Sequence, residues 1–265
     1  MSKVELHLGD CIEFMRGMPD GCVDMVIFSP PYNVGVKYGD KEWTNDRLDI
    51  QDYKNNAERV MDDIFPVLVS GGRVCVEIGG SGRNLPLSWI WADAAYKVGF
   101  GLFSEIMIPH RKTNPTAWGS WLRADNVFTI PNFHSLYVFY KDTSEKKNGI
   151  TVIDKSEFTE WTRGVWNINY SIGKVNEHPA TFPIELPTRC IKLFGHDADT
   201  IFDPFMGSGT TGIACVQLGR NFIGCEIDPG YFSIAEKRIA QAQLQPPLFT
   251  VDQPKVEQAE MELTA

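Results

Sequence analysis

The chain is predicted to fold as an α/β domain: a doubly wound, mostly parallel sheet with an antiparallel edge strand and a small irregular insertion. Three observations predict it. Strand and helix periods alternate over the first hundred residues, they alternate again after residue 183, and between Pro109 and Asn176 the period is lost. Strands that alternate with helices are joined by right-handed crossovers, and such crossovers build a parallel sheet.

Val4 to Leu8 reads as a short strand closing on Gly9-Asp10, and Cys11 to Met18 as a helix with Asp10 as its N-cap. Val23 to Phe28 is an apolar run, read as a buried strand, that ends in the turn Ser29-Pro30-Pro31-Tyr32-Asn33. Residues 34 to 51, with Gly35, Gly39 and Trp43, read as a long loop. Ala57, Val60, Met61, Ile64, Phe65 and Leu68 recur at helical spacing over Asp52 to Leu68, and Gly71-Gly72 is expected to end that helix before a strand from Arg73 to Ile78. A turn at Gly79 to Gly82, a helix from Leu85 to Val98 and a strand from Leu102 to Ile108 complete the first half. Ser135 to Tyr140 is a further strand, expected to run antiparallel at the sheet's edge because no helix precedes it.

Regular alternation then returns. Ile184 to Phe194 reads as a helix, Thr200 to Phe202 as a strand, Ser208 to Leu218 as a helix and Phe222 to Cys225 as a strand. Pro229 to Gln243 is a helix capped by Asp228, with Pro229 at its first position. One domain is expected over residues 1 to 245, followed by an acidic tail, 246 to 265, read as solvated.

The formal net charge of −9 argues against a protein that coats nucleic acid without specificity. Between Pro109 and Lys174, however, nine Lys or Arg stand against six Asp or Glu, so the irregular region is locally basic. The six cysteines include no CxxC pair and sit mostly in apolar runs. They read as buried thiols in a reducing compartment, with neither a disulfide framework nor a metal site. No signal peptide or bilayer-spanning run is visible, so a soluble cytoplasmic protein with no membrane partner is expected.

Two turns carry chemistry. In Ser29-Pro30-Pro31-Tyr32, the prolines fix φ and remove two amide donors, which leaves backbone carbonyls able to accept from a ligand. A hydroxyl, a bare carbonyl and an aromatic face make a slot for a flat ring bearing an amino group. Far along the chain, Asp203-Pro204-Phe205-Met206-Gly207-Ser208-Gly209-Thr210-Thr211-Gly212 joins a strand to a helix. Its glycines satisfy G-x-G-x-x-G, and Glu226 ends the next strand, where a carboxylate grips ribose hydroxyls.

That much reads as a site for an adenosine-containing cofactor. S-adenosylmethionine is favoured over NAD on two counts. A carboxylate at Asp203 can pair with the ammonium of a methionine moiety but would repel a pyrophosphate. If the Asp203 strand also takes first place in a doubly wound order, the Ser29 strand can lie beside it, and both turns open into the crevice at the switch point.

At these residues the sequence resembles the amino-group DNA methyltransferases of restriction-modification type, in their β-class order. Ser29-Pro30-Pro31-Tyr32 matches the family's catalytic S/D/N-P-P-Y/F motif, and Asp203-Pro204-Phe205-Met206-Gly207-Ser208-Gly209-Thr210 matches its cofactor motif. The resemblance covers nearly the whole chain. It implies a circularly permuted Rossmann-like methyltransferase fold, S-adenosylmethionine as cofactor and double-stranded DNA as partner, and it allows a homodimer and a cognate restriction endonuclease.

By motif, Asp203, Pro204, Phe205, Gly207, Gly209 and Thr210 would border the cofactor, Glu226 its ribose and Asp10 its adenine amino group. Thr181 and Phe182, within His178 to Pro183, would lie nearest the methionine carboxylate, and residues 111 to 176 would hold the target-recognition region. In such an enzyme the target base leaves the duplex, and its amine meets the Ser29 hydroxyl and Pro30 carbonyl while Tyr32 stacks on the ring. Serine at the first motif position is associated in the family with the N4 amine of cytosine, and aspartate with the N6 amine of adenine. Ser29 therefore favours N4-cytosine, with N6-adenine as the alternative.

A nicotinamide oxidoreductase would leave the proline turn idle, and a noncatalytic DNA-binding relative would leave the cofactor positions idle. Lys37, Arg111, Lys112, Arg123 and Arg163 are candidate phosphate contacts. His134 reads as structural, and Trp161 and Trp166 as anchors of a small core.

Overall fold

The structure, a computed structural model, describes residues 2–33, 48–79, 86–109, 124–125, 131–147, 149–169 and 182–244. Seven strands form one sheet in the order β1-β7-β6-β2-β3-β5-β4, where β1 is Val4–Leu8, β2 Val23–Phe28, β3 Leu68–Gly79, β4 Gly101–Pro109, β5 Phe133–Tyr140, β6 Thr200–Asp203 and β7 Asn221–Glu226. Side chains alternate along the central strands beyond the register break before Met25. Val26, Phe28, Val74 and Val76 enter one core, under helices α1 (Cys11–Arg16), α2 (Ile50–Val67) and α3 (Leu87–Val98). Met25, Ile27, Cys75 and Leu136 enter the other, under α5 (Glu185–Phe194), α6 (Thr210–Gln217) and α7 (Pro229–Gln243). Continuous apolar runs in β2 and β3 are what a sheet covered on both faces requires.

Aspartate begins helices repeatedly. Asp10, Asp49 and Asp228 each accept two amide protons at the start of α1, α2 and α7, and Asp154 does the same for α4 (Lys155–Trp161). Each such cap contributes about 1 kcal/mol.

Three features differ from the sequence expectations. The strand expected at the edge, β5, is antiparallel as expected but lies between β3 and β4. It pairs with the long outer flank of β3, and β4 adds outside it. The exposed flank of β4 is then covered in part by the insertion, through Met107 N to Gly164 O and Trp166 N to Met107 O, both at 2.9 Å.

Second, Gly71-Gly72 does not separate α2 from β3. Helix α2 runs directly into β3 at Leu68, and the two glycines lie inside the strand at a break in its register with β2. Gly71 has φ +75°, and a Cβ there would meet the Glu145 carbonyl at 2.5 Å, so the bulge depends on glycine. Third, α4 interrupts a stretch read as irregular. It has no fully buried side chain, so it leaves no apolar period in the sequence, and a capping box between Asp154 and Glu157 starts it. Among the described residues, no helix is long and apolar enough to cross a membrane.

Candidate active site

β2 and β6 are parallel neighbours, with Met25 opposite Ile201 and Val26 opposite Phe202. Their C-terminal ends therefore open on the same edge of the sheet, at the point where strand order reverses. The Ser29 turn and the Asp203 loop meet there, as the sequence reading required, and the Phe28 and Phe205 rings pack with centroids 5.6 Å apart.

Ser29 follows Met25 and Ile27 on the α5 face of the sheet. Two strands of the same face supply its neighbours: Glu77 continues the row of Cys75 on β3, and His134 stands opposite Gly79 on β5. Ser29 Oγ donates to Tyr32 Oη at 3.3 Å, and Tyr32 Oη donates to Glu77 Oε2 at 2.8 Å. The other Glu77 oxygen meets His134 Nδ1, which also lies 3.4 Å from Tyr32 Oη. Glu77 is 2% exposed. Burial pushes its carboxyl up, but the His134 ring and hydrogen bonds from His134, Ser29 and Tyr32 outweigh this and hold it below the ordinary carboxylate value. Burial, then the Glu77 charge, pushes the Tyr32 phenol well up. The Tyr32 ring fills the space beside Gly79, where a Cβ would lie 3.1 Å from it.

The rest of the turn is fixed from the opposite face. Tyr53 of α2 donates to the Pro31 carbonyl at 2.7 Å and accepts from the Trp91 indole of α3 at 2.9 Å, both side chains being buried. Pro31's carbonyl is thus engaged, while no described residue hydrogen-bonds the Pro30 carbonyl. Asn33, at φ +54°, closes the turn by pairing its amide with Leu48, donating to Leu48 O at 2.8 Å and accepting from Leu48 N at 2.7 Å.

Beside the turn, three carboxylates stand at the ends of three adjacent strands: Asp203 on β6, Glu226 on β7 and Asp10 just past β1. Asp203 is 1% exposed and serves its own loop, accepting from Phe205 N at 3.0 Å and Thr211 Oγ1 at 2.6 Å. Both of its oxygens are engaged by the loop, and the pairing with a ligand ammonium expected for Asp203 would use their remaining lone pairs. Glu226 accepts from Gly207 N and Asp228 N, each at 2.9 Å, and burial pushes its carboxyl up. Asp10 uses only Oδ1 for its cap.

Gly209, at φ +81°, brings the loop against α7, where a Cβ would meet Ala235 at 3.0 Å. Pro204 and Thr210 are buried, Gly207 and Phe205 partly so, and Arg238 of α7 donates to the Ser208 carbonyl and hydroxyl. A row of acceptors suits a ligand rich in donors, such as ribose hydroxyls and amines, and would repel a dinucleotide's pyrophosphate.

Phe182 packs against the α5-side core. Arg163 is exposed beside Met107 at the β4 edge, with β3 and β5 between it and the turn, so the structure does not bring it to the crevice. Thr181, Lys37, Arg111, Lys112 and Arg123 lie outside the described residues. A cavity lined by Lys3, His7, Phe14 and Phe222 lies toward the opposite ends of the strands. Glu77, Tyr53 and Arg238 were missed from sequence, and His134 was set aside as structural. For Glu77 a signal existed: it is the one charge in the apolar run Val74-Cys75-Val76-Glu77-Ile78.

Fold and facing turns together define a class, the Rossmann-like methyltransferases. Residues 23–237 match the family described as DNA methylase, of N6/N4 type, and the chain belongs to it. Type II methyltransferase M.MjaI of Methanocaldococcus jannaschii is 28% identical over 272 residues, covering 86% of this chain and 89% of that protein. Type II methyltransferase M.BglI of Bacillus subtilis is 40% identical over 130 residues, a match spanning 46% of this chain and 35% of the other. A Thermus thermophilus protein described as a DNA modification methylase and solved with S-adenosyl-L-methionine superposes with a TM-score of 0.69 at 26% identity, covering 90% of this chain and 95% of that one. The cytosine-N4-specific PvuII DNA methyltransferase shares the fold, with a TM-score of 0.68 at 20% identity over 92% of each chain.

Proposed function

We propose that the chain methylates DNA with S-adenosylmethionine, at the exocyclic N4 amine of a cytosine flipped out of the duplex. The observation that carries this reading is the meeting of the Ser29 turn and the carboxylate row at one switch point. Family membership and the full-length relatives support DNA as the substrate and S-adenosylmethionine as the donor. When bound, the cofactor supplies an electrophilic sulfonium methyl. Glu226 and Asp10 would hold its ribose and adenine amino group, since each carboxylate retains lone pairs beyond those its own backbone contacts use. Asp203 and Gly209 would shape the loop against it.

The amine of an aromatic base is a poor nucleophile because its lone pair is delocalised into the ring. Acceptors at Ser29 Oγ and the Pro30 carbonyl favour a pyramidal nitrogen, and Pro31 takes no part because Tyr53 occupies its carbonyl. Tyr32 would carry the base on its ring. Flipping the base costs a few kcal/mol, which contacts from the turn and the basic insertion offset.

N6-adenine methylation is the second reading, and the family's N6/N4 scope keeps it in view. Incubation with S-adenosylmethionine and unmethylated duplex, digestion to nucleosides and mass spectrometry tests both. N4-methylcytidine is expected. N6-methyladenosine would keep the class and overturn the base assignment.

A further inference from the structure

Methylating a neutral amine with a positively charged donor leaves the nitrogen one proton in excess, and that proton needs a destination. The inference therefore rests on the function proposed above. The hydrogen-bond directions around Ser29 all run toward Glu77. A carboxylate only accepts, so Tyr32 Oη must give its single proton to Glu77 Oε2 at 2.8 Å. Tyr32 can then only accept from Ser29 Oγ at 3.3 Å, and since the other partner of that hydroxyl is Glu77 itself, the Ser29 proton is turned inward and lone pairs alone face an incoming amine. Every donor points away from the motif hydroxyl and toward Glu77.

We propose that Glu77 is the terminal acceptor of the proton released by the target amine, and that His134 is the positioning residue that keeps Glu77 an aligned carboxylate between turnovers. In the step, an N–H bond of the amine breaks and its electron pair stays on nitrogen. The proton passes to Ser29 Oγ as the Ser29 proton passes to Tyr32 Oη and the Tyr32 proton to Glu77 Oε2. Both hydroxyls end neutral and Glu77 ends as the neutral acid. Water reaches the pair at the His134 ring, whose side chain is 16% exposed, and takes the proton away.

The bland alternative is an ion pair that only ties β3 to β5. Burying a carboxylate costs several kcal/mol, and the apolar run around Glu77 would pack as well with a branched aliphatic residue. The carboxylate instead sits where donors from the motif turn and from β5 converge. Among the described residues, the titratable groups facing the pair are Tyr32 from the turn and Cys190 from α5, while β4 sets Ile108 opposite His134. Glu77 held low and Tyr32 held high give an acceptor that is ionised, and a relay that keeps its proton, near neutral pH.

The test measures single-turnover methylation against pH for the wild type, Glu77→Gln, His134→Gln and His134→Lys, with S-adenosylhomocysteine affinity measured by calorimetry alongside. Glu77→Gln should slow methyl transfer roughly 100-fold while leaving affinity within about twofold. His134→Gln should be slowed about tenfold more at pH 5.5 than at pH 8, because an acceptor without its partner protonates at higher pH, and His134→Lys should restore the flat profile. In the cofactor-free protein, carbon-13 NMR should show the Glu77 carboxyl titrating at higher pH in His134→Gln. That measurement needs no turnover and keeps the proposal testable if Glu77→Gln does not fold. Methylation by the wild type with unchanged rates and pH profiles in the variants would overturn the proposal and leave the methyltransferase reading intact. Slower variants with an unshifted profile and an unshifted Glu77 titration would reduce the pair to a structural tie. No methylation by the wild type would overturn the methyltransferase reading itself.

Discussion

Tyr53 donates its hydroxyl proton to the Pro31 carbonyl at 2.7 Å, so a helix that carries no motif residue sets the shape of the motif turn. Tyr53→Phe would leave both that carbonyl and the Trp91 indole without their partner. The expected cost is about 1 to 3 kcal/mol of stability, read by chemical denaturation. Turnover should fall roughly tenfold through misplacement of the turn, while S-adenosylhomocysteine affinity stays near that of the wild type.

Ser29→Ala removes the hydroxyl that begins the donor chain to Glu77. The methylation rate should drop about 100-fold with cofactor affinity spared. Unchanged turnover would remove Ser29 from the mechanism.

Asp203→Asn probes a buried carboxyl that burial pushes up to about 7, against the hydrogen bonds from Thr211 and Phe205. Between the ordinary aspartate value of 3.8 and about 7, the unfolded chain has released the proton while the folded protein retains it. Folding stability from this group is therefore complete below that window, falls as pH rises through it, and levels off above. Asparagine does not titrate, so the variant should gain stability relative to the wild type from pH 5 to pH 8. Denaturant midpoints at the two pH values that move in parallel would contradict the raised value.

Gly209→Ala forces a side chain onto a backbone at φ +81° and into contact with Ala235. A loss of about 1 to 3 kcal/mol is expected from strain and crowding together. Because the same loop borders the cofactor site, calorimetric affinity for S-adenosylhomocysteine should weaken as well. Full affinity in a folded variant would detach this loop from cofactor binding.

Much of this was legible in the sequence because it rests on local signals. The apolar run before Ser29, the Asp228-Pro229 helix start and the glycines after Asp203 each dictate their own geometry, and the elements there match to within a residue or two. The adjacency of β2 and β6 followed from topology rules applied to the two turns. Three things were hidden, each for a physical reason. Helix α4 has no fully buried side chain, so no period marks it. The place of β5 depends on which flank of β3 is bare, a property of the assembled sheet. The Glu77 and His134 pair comes from residues 57 positions apart that meet only because β3 and β5 run in opposite directions. Asp203 was located by its motif, but its partners, Phe205 and Thr211, become visible only when the loop has closed.

The sheet order also sets a timetable for folding. Among the described residues β1 pairs only with β7, and Lys3 and Asn221, at the start of that pairing, are 218 positions apart. At translation speeds of about 5 to 20 residues per second, β1 waits roughly ten to forty seconds for its partner. Closing so long a loop is slow, and Val4 and Leu6 stay uncovered until it happens. The half of the sheet that carries Asp10 and Glu226 is therefore completed only once β7 has been made, by two strands far apart in the chain finding each other.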